Sequence, residues 1–406
     1  MSRFVVFGNR PLSGEIRVSG SKNAALPLIF ASLLVRGTTT LSCVPEIEDV
    51  KTALDILTHL GASVERQGDR LFINTESVDY RIPPQRAVSK IRASSYLIGA
   101  MLSRFGRAEL QRFGGCNFDN RPIDMHVYAA ERFGASFDGK ILEAKRLYGA
   151  DVYFNKISVG ATVNALIMAA SAEGKSRIFG YAKEPHVISL ADFLSRAGAK
   201  ILITDECITV EGTTLKSASA DIIPDMIEAG KYAVLSLLTS SELKISGIAH
   251  SHLYSLYETL IDGGAVLFGD SSSLILSGRI DAQLEIITAP YPAFPTDLQP
   301  LTAPLLARCG GGSITEGVWL NRFGYLNELS KFGVKYELES SRARIKPSKF
   351  NAAEVTAPDL RGGAALLLAA LAADGESIID NAELIKRGYS EIVKKLRKIG
   401  AKIEEF

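Results

Sequence analysis

A cysteine beside two glycines is the most reactive side chain that the sequence offers. Cys116 follows these glycines and precedes the mostly polar segment Asn117–Arg121. Glycine permits backbone conformations that other residues avoid, and a nearby cation favours a thiolate over a thiol. An average cysteine is a small buried hydrophobic residue, which is the interpretation that fits Cys43, Cys207 and Cys309. For Cys116 the neighbouring residues favour a reactive group on an exposed loop.

Two predicted helix starts carry further polar candidates. The segment Ser19–Asn23 places small residues before Lys22, so that backbone N–H groups, the helix dipole and an ammonium group could together bind a phosphate. A solvated lysine in a first helical turn is the alternative. Three prolines lead to Asp297, which is either a functional carboxylate or an ordinary residue at a helix N-terminus.

Composition excludes several classes of protein. The net charge is +1 and no basic run is present, so no nucleic-acid partner is expected. The longest apolar run, Ala364–Ala373, is far too short to span a membrane, and no secretory segment follows Met1. The four cysteines form no CxxC pair and the five histidines form no HExxH pattern. We therefore expect a cytoplasmic protein with free thiols and without a metal site.

The candidate residues are distributed over a sixfold repeat. Each copy has a first helix that is apolar nearly all round, a strand-like run, and an amphipathic second helix that ends at a glycine. The repeat is too long for a solenoid unit, so each copy is predicted to be a small packed α/β module. The glycines that end the second helices are Gly61, Gly134, Gly198, Gly264, Gly333 and Gly400.

Polar residues are concentrated where the first helices begin. The N-terminal ends of these helices carry Lys22, Arg92, Glu228, Asp297 and Arg361. Because the helices are otherwise apolar, we expect them to be buried inside the modules, with the second helices outside.

The length of the chain predicts two domains of three modules each. A chain of 406 residues is longer than a single core usually holds. We place the first domain at 22–229 and the second at 1–21 and 230–406. The opening strand is expected to pack with the C-terminal half, so that two linkers, near 20–22 and 225–230, connect the domains as a hinge.

The chain resembles the enolpyruvyl transferase family in a series of short motifs. The motifs are SGSKNAALP, RFGRAEL, GGC, RPIDMH, KISVGAT, PYPAFPTD, NRF, DLR and RGY, in that order and over essentially the whole chain. They are similar to those of the UDP-N-acetylglucosamine 1-carboxyvinyltransferases (MurA type) of peptidoglycan synthesis. The shikimate-pathway enolpyruvyl transferases share the six-module plan but lack the GGC loop.

The resemblance implies a two-domain α/β enolpyruvyl transferase fold, an inside-out α/β barrel with three βαβαββ repeats in each domain. It implies transfer of the enolpyruvyl group of phosphoenolpyruvate to the 3′-hydroxyl of UDP-N-acetylglucosamine with release of phosphate, which is the first committed step of peptidoglycan synthesis. No cofactor and no metal are expected from it.

The resemblance also implies roles for individual residues. Cys116 would donate a proton to phosphoenolpyruvate, take part in product release and be the thiol that fosfomycin alkylates. Asp297 would be the base that faces the sugar hydroxyl. Lys22 would bind the phosphate of phosphoenolpyruvate, and Arg387 and Arg121 would neutralise its charges.

A further set of residues would bind the substrates. Asn23 would lie near both substrates, and Arg322 and Arg361 would be supporting cations, although a surface salt bridge is the default interpretation for any single arginine. The residues expected to line the UDP-sugar site are Arg92, Arg121, Pro122, Ile123, Asp124, Met125, Lys156, Ile157, Ser158, Val159 and Val318.

Several positions depart from the usual pattern of this family. The segment Asn117–Asn120 replaces small residues, Tyr96 stands where tryptophan is common, and Met226 stands where arginine is common. His186 replaces an acidic residue, and Gly324–Asn327 differs from the usual Met-His-Val-Pro. None of these changes removes a proposed catalytic group, but they bear on substrate preference.

Two other functions stay open. One is an enolpyruvyl transferase that acts on a different uridine nucleotide. The other is a non-catalytic relative that binds a UDP-sugar. The presence of Lys22, Cys116, Asp297 and Arg387 together argues against a pure binding protein, which has no use for an acid and a base.

Overall fold

The computed structural model describes residues 2–115 and 122–406, and the candidate residues Cys116 and Arg121 lie outside these ranges. The described chain divides into two compact units. Residues 20–115 and 122–223 form the N-terminal unit, and residues 2–19 and 224–406 form the C-terminal unit. The domain limits given above stay a prediction.

The described residues contain 23 strands. In chain order they are β1 (Arg3–Phe7), β2 (Ser13–Arg17), β3 (Arg36–Ser42), β4 (Ser63–Gln67), β5 (Arg70–Asn74), β6 (Arg107–Glu109), β7 (Ser136–Phe137), β8 (Ile141–Glu143), β9 (Asp151–Tyr153), β10 (Lys175–Phe179), β11 (Lys200–Ile203), β12 (Cys207–Glu211), β13 (Lys216–Asp221), β14 (Glu242–Ser246), β15 (Ala265–Asp270), β16 (Ser273–Gly278), β17 (Leu284–Thr288), β18 (Gly312–Glu316), β19 (Lys335–Glu339), β20 (Arg342–Lys346), β21 (Glu354–Thr356), β22 (Glu376–Asp380) and β23 (Lys402–Glu405).

The same residues contain 14 α-helices. They are α1 (Lys22–Ala31), α2 (Glu48–His59), α3 (Gln85–Val88), α4 (Leu97–Phe105), α5 (Asp124–Arg132), α6 (Val159–Ser171), α7 (Pro185–Arg196), α8 (Met226–Leu238), α9 (Tyr254–Asp262), α10 (Gln299–Arg308), α11 (Tyr325–Lys331), α12 (Leu360–Ala372), α13 (Glu383–Lys386) and α14 (Ile392–Lys398). Short 3₁₀ helices lie at Ser32–Leu34, Arg92–Tyr96 and His250–His252.

The strands form six small sheets within the described ranges, five of them mixed and one antiparallel, which confirms the predicted α/β fold. Five sheets share one order, in which a parallel pair is followed by two antiparallel neighbours. These are β13-β3-β5-β4, β9-β10-β12-β11, β2-β14-β16-β15, β17-β18-β20-β19 and β21-β22-β1-β23. The sixth, β6-β8-β7, has three strands. Each unit holds three sheets, so the repeat read from the sequence corresponds to a repeated sheet.

The first two strands of the chain belong to sheets of the C-terminal unit. β1 lies between β22 and β23, and β2 pairs in parallel with β14. Because these pairings join residues far apart in sequence, the local pattern of each repeat does not specify them.

The six repeat-ending glycines share one backbone conformation. Their φ angles lie between +95° at Gly134 and +121° at Gly198, in the left-handed region that favours glycine. A residue in this conformation ends a helix and lets the chain turn into the next strand. The recurrent glycine is thus explained by the geometry of the helix end.

The first helices of the modules are buried, as predicted, and several begin at a capping side chain. All thirteen residues of α12 are buried, and Asp359 accepts hydrogen bonds from the N–H groups of Arg361 and Gly362 at 2.9 and 3.0 Å. Asp225 caps α8 in the same way, and Ser158 caps α6. These caps satisfy N–H groups that would otherwise lack acceptors at the start of a buried helix.

Three details of the prediction were wrong. Asp297 does not start a helix, because α10 begins at Gln299 after a turn in which the N–H of Leu298 donates to the carbonyl of Pro295. In the last repeat the helical spacing of Tyr389, Ile392 and Leu396 predicts a second helix from about Ser390, but the helix begins at Ile392. Cys43 is exposed with a φ of +58°, since it lies in a connection and not in the core.

No helix in the described part of the chain combines the length and the apolar character that crossing a membrane requires.

Replacement of Gly20 by alanine should destabilise the N-terminal unit. A Cβ at this position would lie 1.9 Å from the carbonyl oxygen of Cys43, so the backbone must move. We expect a loss of about 1–3 kcal/mol in the free energy of unfolding, measured by urea denaturation. Gly324→Ala is the matched control, because a Cβ there meets no described atom within 4 Å. Equal unfolding midpoints for the two variants would contradict the close contact.

Candidate functional site

The carboxylate of Asp297 is held by two arginines in the C-terminal unit. Arg322 Nη1 donates to Asp297 Oδ1 at 2.8 Å, and Arg361 donates to Oδ2 through Nε at 3.1 Å and Nη2 at 2.9 Å. The arginine side chains are 5% and 2% exposed, whereas that of Asp297 is 29% exposed. The carboxylate is therefore fixed from the protein side and still reaches solvent.

A buried carboxylate orients Arg322. Arg322 Nη1 also donates to Thr296 Oγ1 at 3.0 Å, and Thr296 donates to Glu316 Oε2 at 2.9 Å. The other oxygen of Glu316 accepts the N–H groups of Val318 and Trp319 at 2.9 and 3.0 Å. Glu316 ends β18, so the sheet fixes both the arginine and the backbone at Val318, a predicted UDP-sugar residue.

Arg361 lies in the first turn of α12 and faces the ring of Tyr389, with its Cζ 5.3 Å from the ring centroid. Burial alone lowers the pKa of Arg361, but Tyr389, Asp297 and Asp225 together raise it above its ordinary value. The guanidinium is therefore charged at any physiological pH, and its charge has the Asp297 carboxylate as a partner.

A buried lysine lies on the other helix of this region. Lys231 is in the second turn of α8 and is 2% exposed. Its Nζ lies 4.0 Å from the ring centroid of Tyr232 and 4.1 Å from that of Tyr389, and no residue that the structure describes accepts a hydrogen bond from it. Burial lowers the pKa of Lys231 to about 7. The charge of Glu228 acts against this lowering, and the charge of Lys395 adds to it.

Glu228 links α8 to Ser19, which follows β2. Its Oε2 accepts the N–H of Ser19 at 2.7 Å, and its Oε1 accepts Lys395 Nζ at 2.8 Å. Lys395 Nζ also donates to Ser19 Oγ at 2.6 Å. The polar residue at the start of this helix is thus used in packing within the C-terminal unit.

Arg387 follows α13 and is half-buried. It lies two residues before Tyr389, the ring of which contacts Arg361 and Lys231. The predicted residues Asp297, Arg322 and Arg361 are therefore in direct contact, and Arg387 belongs to the adjoining segment.

Lys22 begins α1 in the N-terminal unit. Its Nζ donates to Asp49 Oδ2 at 3.2 Å, and the two side chains are 14% and 5% exposed. Asn23 is the next residue of the helix and is half-buried. Gly20, two residues before Lys22, leaves no room for a Cβ against the carbonyl oxygen of Cys43.

Three predicted UDP-sugar segments converge on Asn164 of α6. Its Nδ2 donates to the carbonyl of Ser95 at 3.1 Å, in the 3₁₀ helix that begins at Arg92, and to His126 Nδ1 at 2.7 Å. Its Oδ1 accepts the N–H of Gly99 at 2.6 Å. His126 belongs to α5, and the same Nδ2 donates to the carbonyl of Gly160, which follows Val159, at 3.2 Å. The elements that carry Arg92, 122–125 and 156–159 are therefore joined around one amide.

The predicted substrate residues in these segments differ in exposure. Pro122, Asp124, Lys156 and Ile157 are exposed. Those that are half-buried are Arg92, Ile123, Met125, Ser158 and Val159.

Sequence reasoning missed several residues that organise these clusters. Tyr389 was assigned to the apolar face of the last helix, and Lys231, Asn164 and His126 were not singled out. A signal was present for Lys231, because it is the one lysine in the apolar run Ala229–Leu238. Within 2–115 and 122–406 no group of three or more His, Cys, Asp or Glu side chains has the geometry to hold a metal ion.

Known proteins resemble this chain over its whole length. The sequence matches the family described as EPSP synthase (3-phosphoshikimate 1-carboxyvinyltransferase) over residues 6–396. It is 40% identical over 413 residues to the UDP-N-acetylglucosamine 1-carboxyvinyltransferase of Halothermothrix orenii, with 100% of each chain covered.

Two solved structures share the fold. The enolpyruvyl transferase NikO from Streptomyces tendae has a TM-score of 0.88 at 25% identity, with 100% of this chain and 99% of that chain covered. EPSP synthase from Acinetobacter baumannii has a TM-score of 0.72 at 17% identity over 100% of both chains, which shows the fold alone.

His126 should stay neutral well below its ordinary pKa. Burial, reinforced by the positive charge of Arg92, lowers the pKa of His126 to about 4. The unfolded chain binds a proton near pH 6.5 and the folded chain does not, so stability should fall as the pH drops from 6.5 to about 4.

The slope attributable to His126 should reach about 1.4 kcal/mol per pH unit and be absent in His126→Gln. Urea denaturation between pH 4 and pH 7 measures this slope, and NMR titration of the imidazole C–H signal gives the pKa directly. A signal that titrates near pH 6.5 would contradict the buried neutral histidine.

Proposed function

The chain belongs to the enolpyruvyl transferase family, and we propose that it transfers the enolpyruvyl group of phosphoenolpyruvate to the 3′-hydroxyl of UDP-N-acetylglucosamine and releases phosphate. The observation that supports the reaction is the carboxylate of Asp297 held between two buried arginines. The full-length likeness to the Halothermothrix orenii relative supports the choice of substrates. The reaction is then the first committed step of peptidoglycan synthesis.

The chemistry requires an acid, a base and cations. The sugar hydroxyl oxygen forms a bond to C2 of phosphoenolpyruvate while C3 accepts a proton, which gives a tetrahedral intermediate. Loss of phosphate from C2 and of a proton from C3 then restores the double bond in the product. One proton thus enters at C3 and one leaves, and the proton of the hydroxyl must also be accepted.

Asp297 is the residue proposed to accept the hydroxyl proton. A base must face the substrate in a fixed direction, and hydrogen bonds from Arg322 and Arg361 fix both carboxylate oxygens. The guanidinium groups stabilise the negative charge of the carboxylate, and the exposed part of Asp297 leaves room for a hydroxyl to donate a hydrogen bond.

The cations are proposed to hold the negative charges of phosphoenolpyruvate. Lys22 is assigned to the phosphate, with Arg121 and Arg387 as further partners. Lys22 forms an ion pair with Asp49, so that a phosphate would compete with this carboxylate for the ammonium. Asn23 is assigned to both substrates.

The nucleotide sugar is proposed to bind in the N-terminal unit at the elements joined by Asn164. The exposed Lys156 and the half-buried Arg92 supply positive charge for the diphosphate, while 122–125 and Ser158–Val159 supply backbone groups at two helix starts. Val318 is also assigned to the nucleotide sugar.

Cys116 is proposed to deliver the proton to C3 and to be the site of alkylation by fosfomycin. This residue lies outside the described ranges, so its assignment rests on the GGC motif and its sequence context. A cytoplasmic location is part of the proposal.

A second candidate is transfer to another uridine nucleotide. Tyr96 bears on it, since it is one of the positions at which the sequence departs from the family pattern described above, and its ring packs edge-on against Phe30 with the ring centroids 6.5 Å apart.

Phosphate release from phosphoenolpyruvate should depend on the acceptor offered. We expect turnover with UDP-N-acetylglucosamine and much less with UDP-glucose, UDP or UMP, each assayed at the same concentration with a phosphate-detecting assay. Turnover with another uridine nucleotide and not with UDP-N-acetylglucosamine would establish the second candidate. Binding of nucleotides without any phosphate release would contradict an enolpyruvyl transferase.

Fosfomycin should modify one thiol. Intact-protein mass spectrometry should show a single adduct on the unmodified chain and none on Cys116→Ser. Cys43→Ser is the matched control, since Cys43 is an exposed cysteine of the described chain and its removal should leave the adduct. Loss of the proton donor should lower kcat by about 10²–10⁴-fold. Full activity of Cys116→Ser would remove this residue from the mechanism.

A further inference from the structure

The buried lysine of the C-terminal unit, Lys231, is not among the residues assigned to the acid, the base or the substrates. Lys231 occupies a helix in which every residue from Ile227 to Leu238 is buried. Burying an amine without a hydrogen-bond acceptor is costly, and an apolar residue would pack in this helix without that cost. Its position beside the residues that hold Asp297 suggests a reason for it.

The rings around Lys231 connect it to the candidate base. Its Nζ lies 4.1 Å from the centroid of the Tyr389 ring, and Arg361 Cζ lies 5.3 Å from the same centroid. Arg361 in turn makes two hydrogen bonds to Asp297. A cation is attracted to the face of an aromatic ring, so a protonated Lys231 and Arg361 both act on Tyr389.

The charged groups that face Lys231 belong to three helices, and the ring of Tyr389 faces it as well. Asp225 caps its helix and Glu228 lies on it, with Tyr232 beside Lys231, and Arg361 lies on α12. Lys395 comes from α14 and is bound to Glu228. The two carboxylates favour the protonated amine, whereas burial and the two cations oppose it.

We propose that Lys231 is a positioning residue for the proposed transfer reaction, acting through the ring of Tyr389 on Arg361 and thereby on the carboxylate of Asp297. The inference rests on the proposed function in that Asp297 is taken as the base. In its protonated form Lys231 holds the ring of Tyr389 against Arg361, and this keeps the guanidinium aligned with the carboxylate. Loss of the proton releases the ring.

Because burial brings the pKa of Lys231 to about 7, the alignment should change within the neutral range. The fraction of protonated Lys231 falls as the pH rises through 7, so the hold on Tyr389 and Arg361 should weaken in the same interval. If Lys231 only filled space, the environment of Arg361 would not change with pH in the interval around pH 7.

The first test needs no substrate. The Nε–H signal of Arg361 is observed by ¹⁵N NMR and identified by its loss in Arg361→Lys. We expect it to shift with pH with a midpoint near 7 in the unmodified chain and to stay constant between pH 6 and 8.5 in Lys231→Met. A signal that does not shift in the unmodified chain, or that shifts equally in Lys231→Met, overturns the proposal.

Lys395→Met is the matched control. It removes a neighbouring cation that faces Lys231 but is bound to Glu228 and Ser19. The Arg361 signal should still titrate in this variant, with its midpoint moved to higher pH, because Lys395 lowers the pKa of Lys231. Loss of the titration in Lys395→Met would assign the effect to a different group and overturn the proposal.

The second test uses turnover. Lys231→Met should lower kcat about ten-fold while the KM values change by less than about two-fold, because alignment of the base is lost and binding is kept. Its thermal unfolding midpoint should equal or exceed that of the unmodified chain, since a buried amine is removed. An unchanged kcat in this folded variant would make Lys231 purely structural.

The two tests separate the inference from the function. If the unmodified chain shows no enolpyruvyl transfer to any uridine nucleotide, the proposed function fails, while the titration of Arg361 still decides whether Lys231 acts on it. If Lys231→Met does not fold, the NMR titration of the unmodified chain and of Lys395→Met still decides.

Discussion

The ion pairs of Asp297 are the interaction on which the candidate site depends. Arg322 and Arg361 are almost fully buried, and a buried guanidinium group without a partner is strongly destabilising. The Asp297 carboxylate is the ion-pair partner of both, and each arginine has a second contact, Thr296 for Arg322 and the Tyr389 ring for Arg361. The same contacts that compensate the buried positive charges of the two arginines also fix the direction of the Asp297 carboxylate.

The two units organise their polar residues in different ways. In the N-terminal unit the centre is the neutral pair Asn164 and His126, where one amide links two helices and a 3₁₀ helix. In the C-terminal unit the centre is charged, with Asp297 between Arg322 and Arg361. A neutral hydrogen-bonded pair can hold helix starts in position for a large ligand. A carboxylate between two guanidinium groups can take part in the transfer of a proton.

Much of the fold could be predicted from the sequence, because each repeat carries its own local signals. The helix-ending glycines and the apolar first helices depend on backbone conformation and burial, which recur in every copy. The sheet partners of β1 and β2 could not be predicted in detail, since they come from the distant strands β22, β23 and β14.

The candidate site was predicted only in part. Motifs pointed to Asp297, Arg322 and Arg361, and the structure places these three in contact. The contribution of Tyr389 and Lys231 depends on the approach of residues far apart in the chain, which helical spacing does not encode. Helical spacing predicted Tyr389 to be one more apolar residue, and its side chain is indeed buried. The two cations at its ring, Lys231 and Arg361, come from other helices, and spacing within one helix cannot predict them.

A double-mutant cycle on kcat/KM with Asp297→Asn, Arg361→Lys and the combined variant tests the central claim most directly. If the carboxylate and the guanidinium act as one unit, the combined variant should be no slower than the slower single variant, because either change already breaks the arrangement. Losses that multiply would show that the two residues act independently, and this would contradict an Asp297 whose function depends on being held by Arg361.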